Sequence, residues 1–114
     1  MSYSLDRIAK TCHDVNQAYC RAIGDPVSLP YHLLSQEEKD SVLKGVQALM
    51  DNMFLSPEDL HKLWLDDKKK NGWKLGPVKD SVRKTHPCMI DYYFLPQSQK
   101  VKDHLFSAVV KAMR

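Results

Sequence analysis

Apolar residues return every three or four positions in four stretches of the chain, the spacing of a single helical face. In the first, Leu5, Ile8, Ala9, Cys12, Val15, Tyr19, Ala22 and Ile23 form a stripe that predicts a helix from Leu5 to Ile23. Gly24 supplies its stop and Asp25-Pro26 prevents continuation. Residues 25–34, with Pro26 and Pro30, show no period and read as a connector. Ser35 followed by Glu38 is a capping box opening a helix to about Met53. This helix would bury Val42, Val46, Leu49, Met50 and Met53 and expose Lys39, Lys44, Gln47 and Asp51.

The third helix has the clearest start. Ser56 is the N-cap, Pro57 takes the first helical position, and Glu58 and Asp59 complement the positive dipole end. Leu60 and Trp64 face the core, Lys68, Lys69 and Lys70 occupy the last turn, and Gly72 ends it. From Trp73 to Leu95 the pattern is irregular, with turn signals at Gly76-Pro77 and His86-Pro87 and a short extended piece at Met89–Tyr92. A loop of this length inside a small domain is more often functional than idle. The last helix should start at Pro96 or Ser98 and run to about Met113, burying Val101, Leu105, Ala108, Val109 and Ala112. The prediction is a mainly α fold: one domain over residues 1–114, four helices, and a long ordered loop between the third and the last.

Composition supports one ordinary globular core. The chain has 114 residues, 43% hydrophobic and 27% charged, which excludes a disordered, collagen-like or low-complexity chain. The net charge of +3 hides an asymmetry. Residues 1–67 carry six Lys/Arg against eleven Asp/Glu, whereas residues 68–86 carry seven Lys/Arg against Asp80 alone. A concentrated basic stretch attracts an anionic ligand, because local potential matters more than net charge; the plainer reading is a solvated loop and helix end. A duplex binder shows a basic face and a pI above about 9. Here the pI is about 8.7 and half the chain repels phosphates, so nucleic acid is not the expected partner.

Catalytic and metal signatures are missing. His13, His32, His61, His86 and His104 show no i, i+4 pair with a carboxylate base between, and no Cys-x-x-Cys exists. There is no Gly-x-Ser-x-Gly elbow and no phosphate loop. Asp66 and Asp67 read as helical partners of Lys69, Lys70 and their neighbours. Cys12 and Cys20 read as buried small hydrophobes, and three cysteines without an apolar leader point to a reducing cytoplasm. No run approaches the ~18 apolar residues of a membrane span. Neither an enzyme, a metal nor a cofactor is expected.

What is left is Gly72-Trp73-Lys74-Leu75-Gly76, followed by Lys79-Asp80 and Lys84-Thr85-His86-Pro87. An indole, several cations and glycines that let backbone approach a ligand could together hold a planar anion, with Trp73 stacking as in single-strand binders. Equally, Trp73 plugs the core beneath the loop. An indole can also pack one face and offer the other.

The same stretch carries a resemblance. His61-x-x-Trp64, Lys68, Gly72-Trp73-x-x-Gly76, Lys79-Asp80, Lys84, His86-Pro87 and Tyr92-x-x-Leu95 resemble the RyR domain, the small module repeated in ryanodine receptors, over Ser56–Met113. Leu75 stands where an aromatic is common and Asp91 where proline is common. The opening Ile8–Cys20 segment is similar to stand-alone microbial and phage versions, for which the host cytoplasm would be the compartment. The resemblance implies a mainly helical fold with minor β pairing around the loop, and no catalysis. It implies that His61, Trp64, Gly72, Gly76 and Pro87 chiefly define the fold. Trp73 and Tyr92, with the polar matches Lys68, Lys79, Asp80, Lys84 and His86, are the candidate ligand residues, although a buried Lys79–Asp80 pairing would explain those two structurally. The expected function is a non-catalytic module binding a small phosphorylated or nucleotide-like anion between Trp73 and the Lys68–His86 surface. The alternative is a protein-interaction or assembly module, dimeric through an apolar end at Met50, Met53 and Phe54.

Overall fold

Serine hydroxyls open three of the four helices by accepting the backbone N–H three residues on. A computed structural model describes residues 3–114 and places α1 at Leu5–Ile23, α2 at Gln36–Asp51, α3 at Pro57–Lys70 and α4 at Gln97–Met113. Ser4 caps α1, Ser35 caps α2 and Ser56 caps α3, each accepting at 3.1–3.2 Å. At Ser56 the box is complete, because Asp59 accepts the Ser56 N–H at 3.0 Å. At Ser35 only half of it forms: Glu38 accepts from the Ser35 hydroxyl, not from its N–H. α4 opens after Pro96 with no side-chain cap.

The helices pack α1 on α4 and α2, and α3 on α4 and α2. Ile8, Ala9 and Cys12 of α1 meet Val46 and Leu49 of α2, Leu60 of α3 and Val110 of α4, with Tyr31 and Leu34 closing the core from the connector. Four side chains there, Ile8, Val46, Leu49 and Val110, are fully buried. Cys20 is also buried.

The apolar stripes needed correction at their ends. Leu5, Ala22 and Ile23 are exposed on α1, while Gln17 is buried. Its amide donates to the carbonyls of Ser28 (2.6 Å) and Leu29 (3.3 Å) and accepts from the Ser28 N–H (3.0 Å), which pins the connector to α1. A buried amide satisfied this way escapes the desolvation cost that hydropathy assigns it. α2 stops at Asp51 rather than Met53, because Asn52 is extended and its side chain accepts from the Phe54 N–H. Met50 is exposed, Met53 half-buried, and Lys39 half-buried rather than exposed. On α4, Ala108 and Ala112 are exposed, with Ser107 and Val110 buried instead. Alanine methyls bury too little area to set a helix's rotation.

α3 ends as its lysines and glycine predict, with Asn71 as C-cap and Gly72 in the left-handed region at φ 86°. The Gly72 N–H returns to the Lys69 carbonyl and the Trp73 N–H to the Lys68 carbonyl, the paired bonds of a Schellman stop. The chain then forms β1 (Lys74–Leu75) and β2 (Thr85–His86), a minimal parallel pair with Lys74 opposite Thr85 and Leu75 opposite His86. Between them Asp80 exchanges both backbone hydrogen bonds with Thr85, and its carboxylate accepts from the Val82 and Arg83 N–H groups. At Gly76 a Cβ would lie 2.6 Å from Thr85 Cβ, so the glycine allows the crossing. The extended piece expected at Met89–Tyr92 is absent; Tyr92–Phe94 form a 3-10 turn that Asp91 caps through the Tyr93 N–H.

This packing makes Leu49 and Phe54, close in sequence, opposite in energetic role. Leu49→Ala should lose about 2–5 kcal/mol of unfolding free energy, while Phe54→Ala, 96% exposed, should change it by less than about 0.5 kcal/mol. Urea unfolding of both variants measures this, and similar losses would contradict the placement.

Candidate functional site

A cleft of about 380 Å³ runs between the helices and the connecting segment, within the size range of small-molecule sites. Its apolar walls come from Val42 and Ala48 of α2, Leu60 and Leu63 of α3, and Leu105 and Phe106 of α4. Spaced three apart on α3, His61 and Trp64 share one face, and their rings stack at 5.4 Å with 27° between planes. Trp64 meets His86 of β2 edge-on at 5.0 Å. Four lysines line the same cleft: Lys44 from α2, Lys68 from the last turn of α3, Lys79 from the loop and Lys102 from α4.

The electrostatics follow from which cations have partners. Lys102 lies 3.2 Å from the Asp25 carboxylate, which also accepts from Gln99 at 2.6 Å. That carboxyl is held below its usual range by the Gln99 bond first, and by Lys102. Among the described residues Lys68 and Lys79 form no ion pair. Burial, and then the Lys79 charge, lower the Lys68 pKa. Burial and the charges of Lys79, Lys68 and Lys102 together push His86 down to about 4. The hydrogen bonds agree, because His86 Nδ1 accepts from the Cys88 N–H at 3.0 Å and so carries no proton. Neutral His86 adds no charge of its own, and the carboxylates that attract Lys68, those of Glu38, Glu37 and Asp67, stand beyond ion-pair distance of it.

Asp103 of α4 also lines the cleft, with Oδ2 3.9 Å from His61 Nδ1. Burial raises its carboxyl to about 7, against the lowering effect of Lys102. His61 Nε2 donates to the Ile90 carbonyl at 2.7 Å, which fixes the ring and ties the connecting segment to α3. No group of three described His, Cys, Asp or Glu side chains gathers to hold a metal ion.

Of the candidate ligand residues, Lys68, Lys79 and His86 come together here and four do not. Trp73 is buried to 5% exposure and does not line the cleft. The Lys68 ammonium covers its ring, 4.5 Å from the centroid, so Trp73 is the plug, with no face offered outward. Lys84, at φ 55°, donates to the Asn71 carbonyl at 2.7 Å and pairs with Glu37 at 3.3 Å, clamping the loop to α3 and α2. Asp80 caps its turn, and with Lys79 exposed and Asp80 half-buried there is no buried Lys79–Asp80 pairing. Tyr92 sits beside His61 at 6.1 Å, with its hydroxyl 3.3 Å from His104. Pro87 is exposed at the turn. Asp66 and Asp67 pair with Lys62 and Lys44, not with Lys69 and Lys70.

Sequence reasoning missed Trp64 as the aromatic wall, and missed Lys102 and Asp103. No local signal set Lys102 and Asp103 apart, because they lie in the polar run Lys102-Asp103-His104 that follows Gln97–Lys100 across Val101.

A family model of the RyR domain matches residues 47–113. The chain belongs to the RyR domain family. The match starts nine residues earlier than the resemblance over Ser56–Met113, taking in the last turn of α2, where Leu49 packs in the same core as Leu60 and Val110. Every cleft residue from α3, the loop and α4 falls inside the matched span of this RyR domain. No described helix is long and apolar enough to cross a membrane.

His86 and Asp103 impose opposite pH dependences on stability. A histidine lowered from 6.5 to about 4 contributes stability present above pH 6.5 and lost as pH falls toward 4. A carboxyl raised from 3.8 to about 7 contributes stability present below pH 3.8 and lost as pH rises toward 7. Between these limits the two proton balances oppose each other. Relative to the unmodified protein, His86→Gln should make stability fall with rising pH, and Asp103→Asn should make it rise, each by up to about 1.4 kcal/mol per pH unit. Urea titrations between pH 4.5 and 6.5 check this; parallel profiles for all three proteins would refute it.

Proposed function

We propose that this RyR domain is a non-catalytic binding module for a small phosphorylated or nucleotide-like anion. The ligand would lie in the cleft with its anionic group on Lys68, Lys79 and His86 and its flat part along Trp64. The observation that carries this reading is a pair of unpartnered ammonium groups converging beside a neutral histidine in a cleft with aromatic walls. A half-buried charge such as Lys68 is normally paired within the protein; exposed Lys79 adds its charge, and an external anion offsets the repulsion that, after burial, lowers Lys68 and His86. Trp64 and His61 supply apolar surface for a planar body.

The test is thermal shift and calorimetry against inorganic phosphate and a panel of nucleoside monophosphates. Stabilisation should follow RT ln(1 + [L]/Kd), about 2.7 kcal/mol at a hundredfold excess, and should weaken with salt. Lys68→Ala and Lys79→Ala should each weaken binding about tenfold, whereas Lys111→Ala, exposed at the end of α4 and outside the cleft, should leave affinity unchanged. An absence of any shift, or equal losses for all three variants, would overturn the assignment.

A further inference from the structure

We propose that Asp103 reads the far edge of the ligand, accepting two adjacent N–H donors from a guanine-type heterocycle while the anionic group rests on Lys68 and Lys79. The inference builds on the anion assignment above and adds an orientation and a base class. It starts from the hydrogen-bond inventory of the Asp103 carboxyl. His61 spends its Nε2 N–H on Ile90, and its Nδ1 stands 3.9 Å from Asp103 Oδ2, beyond hydrogen-bond reach. Lys102, its neighbour in sequence, is engaged by Asp25. Among the described residues no protein group donates to Asp103, although its side chain is only 20% exposed and it lines the cleft. Half-buried polar groups ordinarily have partners, and the raised carboxyl pKa is the protein-side symptom of lacking one.

The aromatic row supplies direction. From Asp103 the contacts run to His61, then to the stacked Trp64, then to His86 beside the unpaired lysines. A ligand following that row has its anion at one end, a flat body against Trp64, and its opposite edge at Asp103. A carboxylate has two acceptor oxygens and no donor, and its best complement is a parallel pair of N–H groups. A guanine edge presents a ring N–H beside an amino group. Adenine and cytosine edges set an amino group beside a bare ring nitrogen, whose lone pair would face the carboxylate, the mismatch that a polar site rejects most strongly. Hypoxanthine keeps the ring N–H but has a C–H where guanine has its amino group, so it forfeits one of the two hydrogen bonds.

The experiment is calorimetry of the full chain at pH 8, where the Asp103 carboxyl, raised to about 7, is ionised, with GMP, IMP, AMP and inorganic phosphate, on the unmodified protein, Asp103→Asn and Lys68→Ala. GMP should bind at least tenfold more tightly than IMP or AMP. Asp103→Asn, which has one acceptor and one donor, should bring GMP to the level of IMP and leave phosphate binding unchanged. Lys68→Ala should weaken all three nucleotides together. Equal affinity for GMP and IMP, or a GMP preference that survives Asp103→Asn, would overturn the role of Asp103 while leaving the anion assignment intact. If neither phosphate nor any nucleotide binds, both fall.

Discussion

The reversal at Gly72 and the burial of Trp73 behind it set the position of everything in the connecting segment. A left-handed residue is needed there to bring the next N–H groups back onto the Lys68 and Lys69 carbonyls, and glycine meets it without steric cost. Trp73 is thereby directed under Lys68, and its indole is packed so fully that Nε1 has no hydrogen-bond partner. An unpartnered buried donor costs about 1–3 kcal/mol. Burial of a large aromatic surface, with about 0.5–2 kcal/mol from the ammonium over the ring, outweighs that penalty. With Trp73 anchored, β1 and β2 pair, and His86 is carried to the edge of Trp64.

The carboxylates nearest the basic side of the cleft are engaged by other cations. Asp67 meets Lys44 of α2, and Glu37 meets Lys84 of the loop. Both pairs join the loop or α3 to α2, so they serve the architecture and leave Lys68 and Lys79 without an ion-pair partner, with Glu38, Glu37 and Asp67 attracting Lys68 from farther off. Such arrangements cost stability locally, and functional sites are where folded proteins tolerate them. Half-buried Asp103 repeats the pattern with the opposite sign, 3.9 Å from His61 and without a donor among the described residues. One cleft thus holds an unpaired ammonium and an unpaired carboxyl, with the rings of His61, Trp64 and His86 in contact between them.

Much of the architecture was legible along the chain. α1 was bounded at both ends by its stripe and Gly24, and α3 by Ser56-Pro57 and the Lys68–Gly72 stop. Capping chemistry is local, acting within one turn, so nearby residues suffice to state it. Where the local signal was weak, the outcome differed: α2 stopped at an Asn52 side-chain turn, and α4 rotated away from its alanines.

The candidate site divided along the same line. The composition of residues 68–86 located the basic stretch, and the resemblance to the RyR domain marked Lys68, Lys79 and His86 there along with Trp73, Asp80, Lys84 and Tyr92. Only the tertiary structure decided that Trp64 rather than Trp73 faces the cleft, that Lys84 is spent on a clamp, and that Asp103 joins the lysines in one cleft. Periodicity reports which face of a helix is buried, a property of neighbours three or four residues apart. Which buried aromatic borders a space, and which charge finds a partner, depends on segments dozens of residues away that meet only when the helices pack.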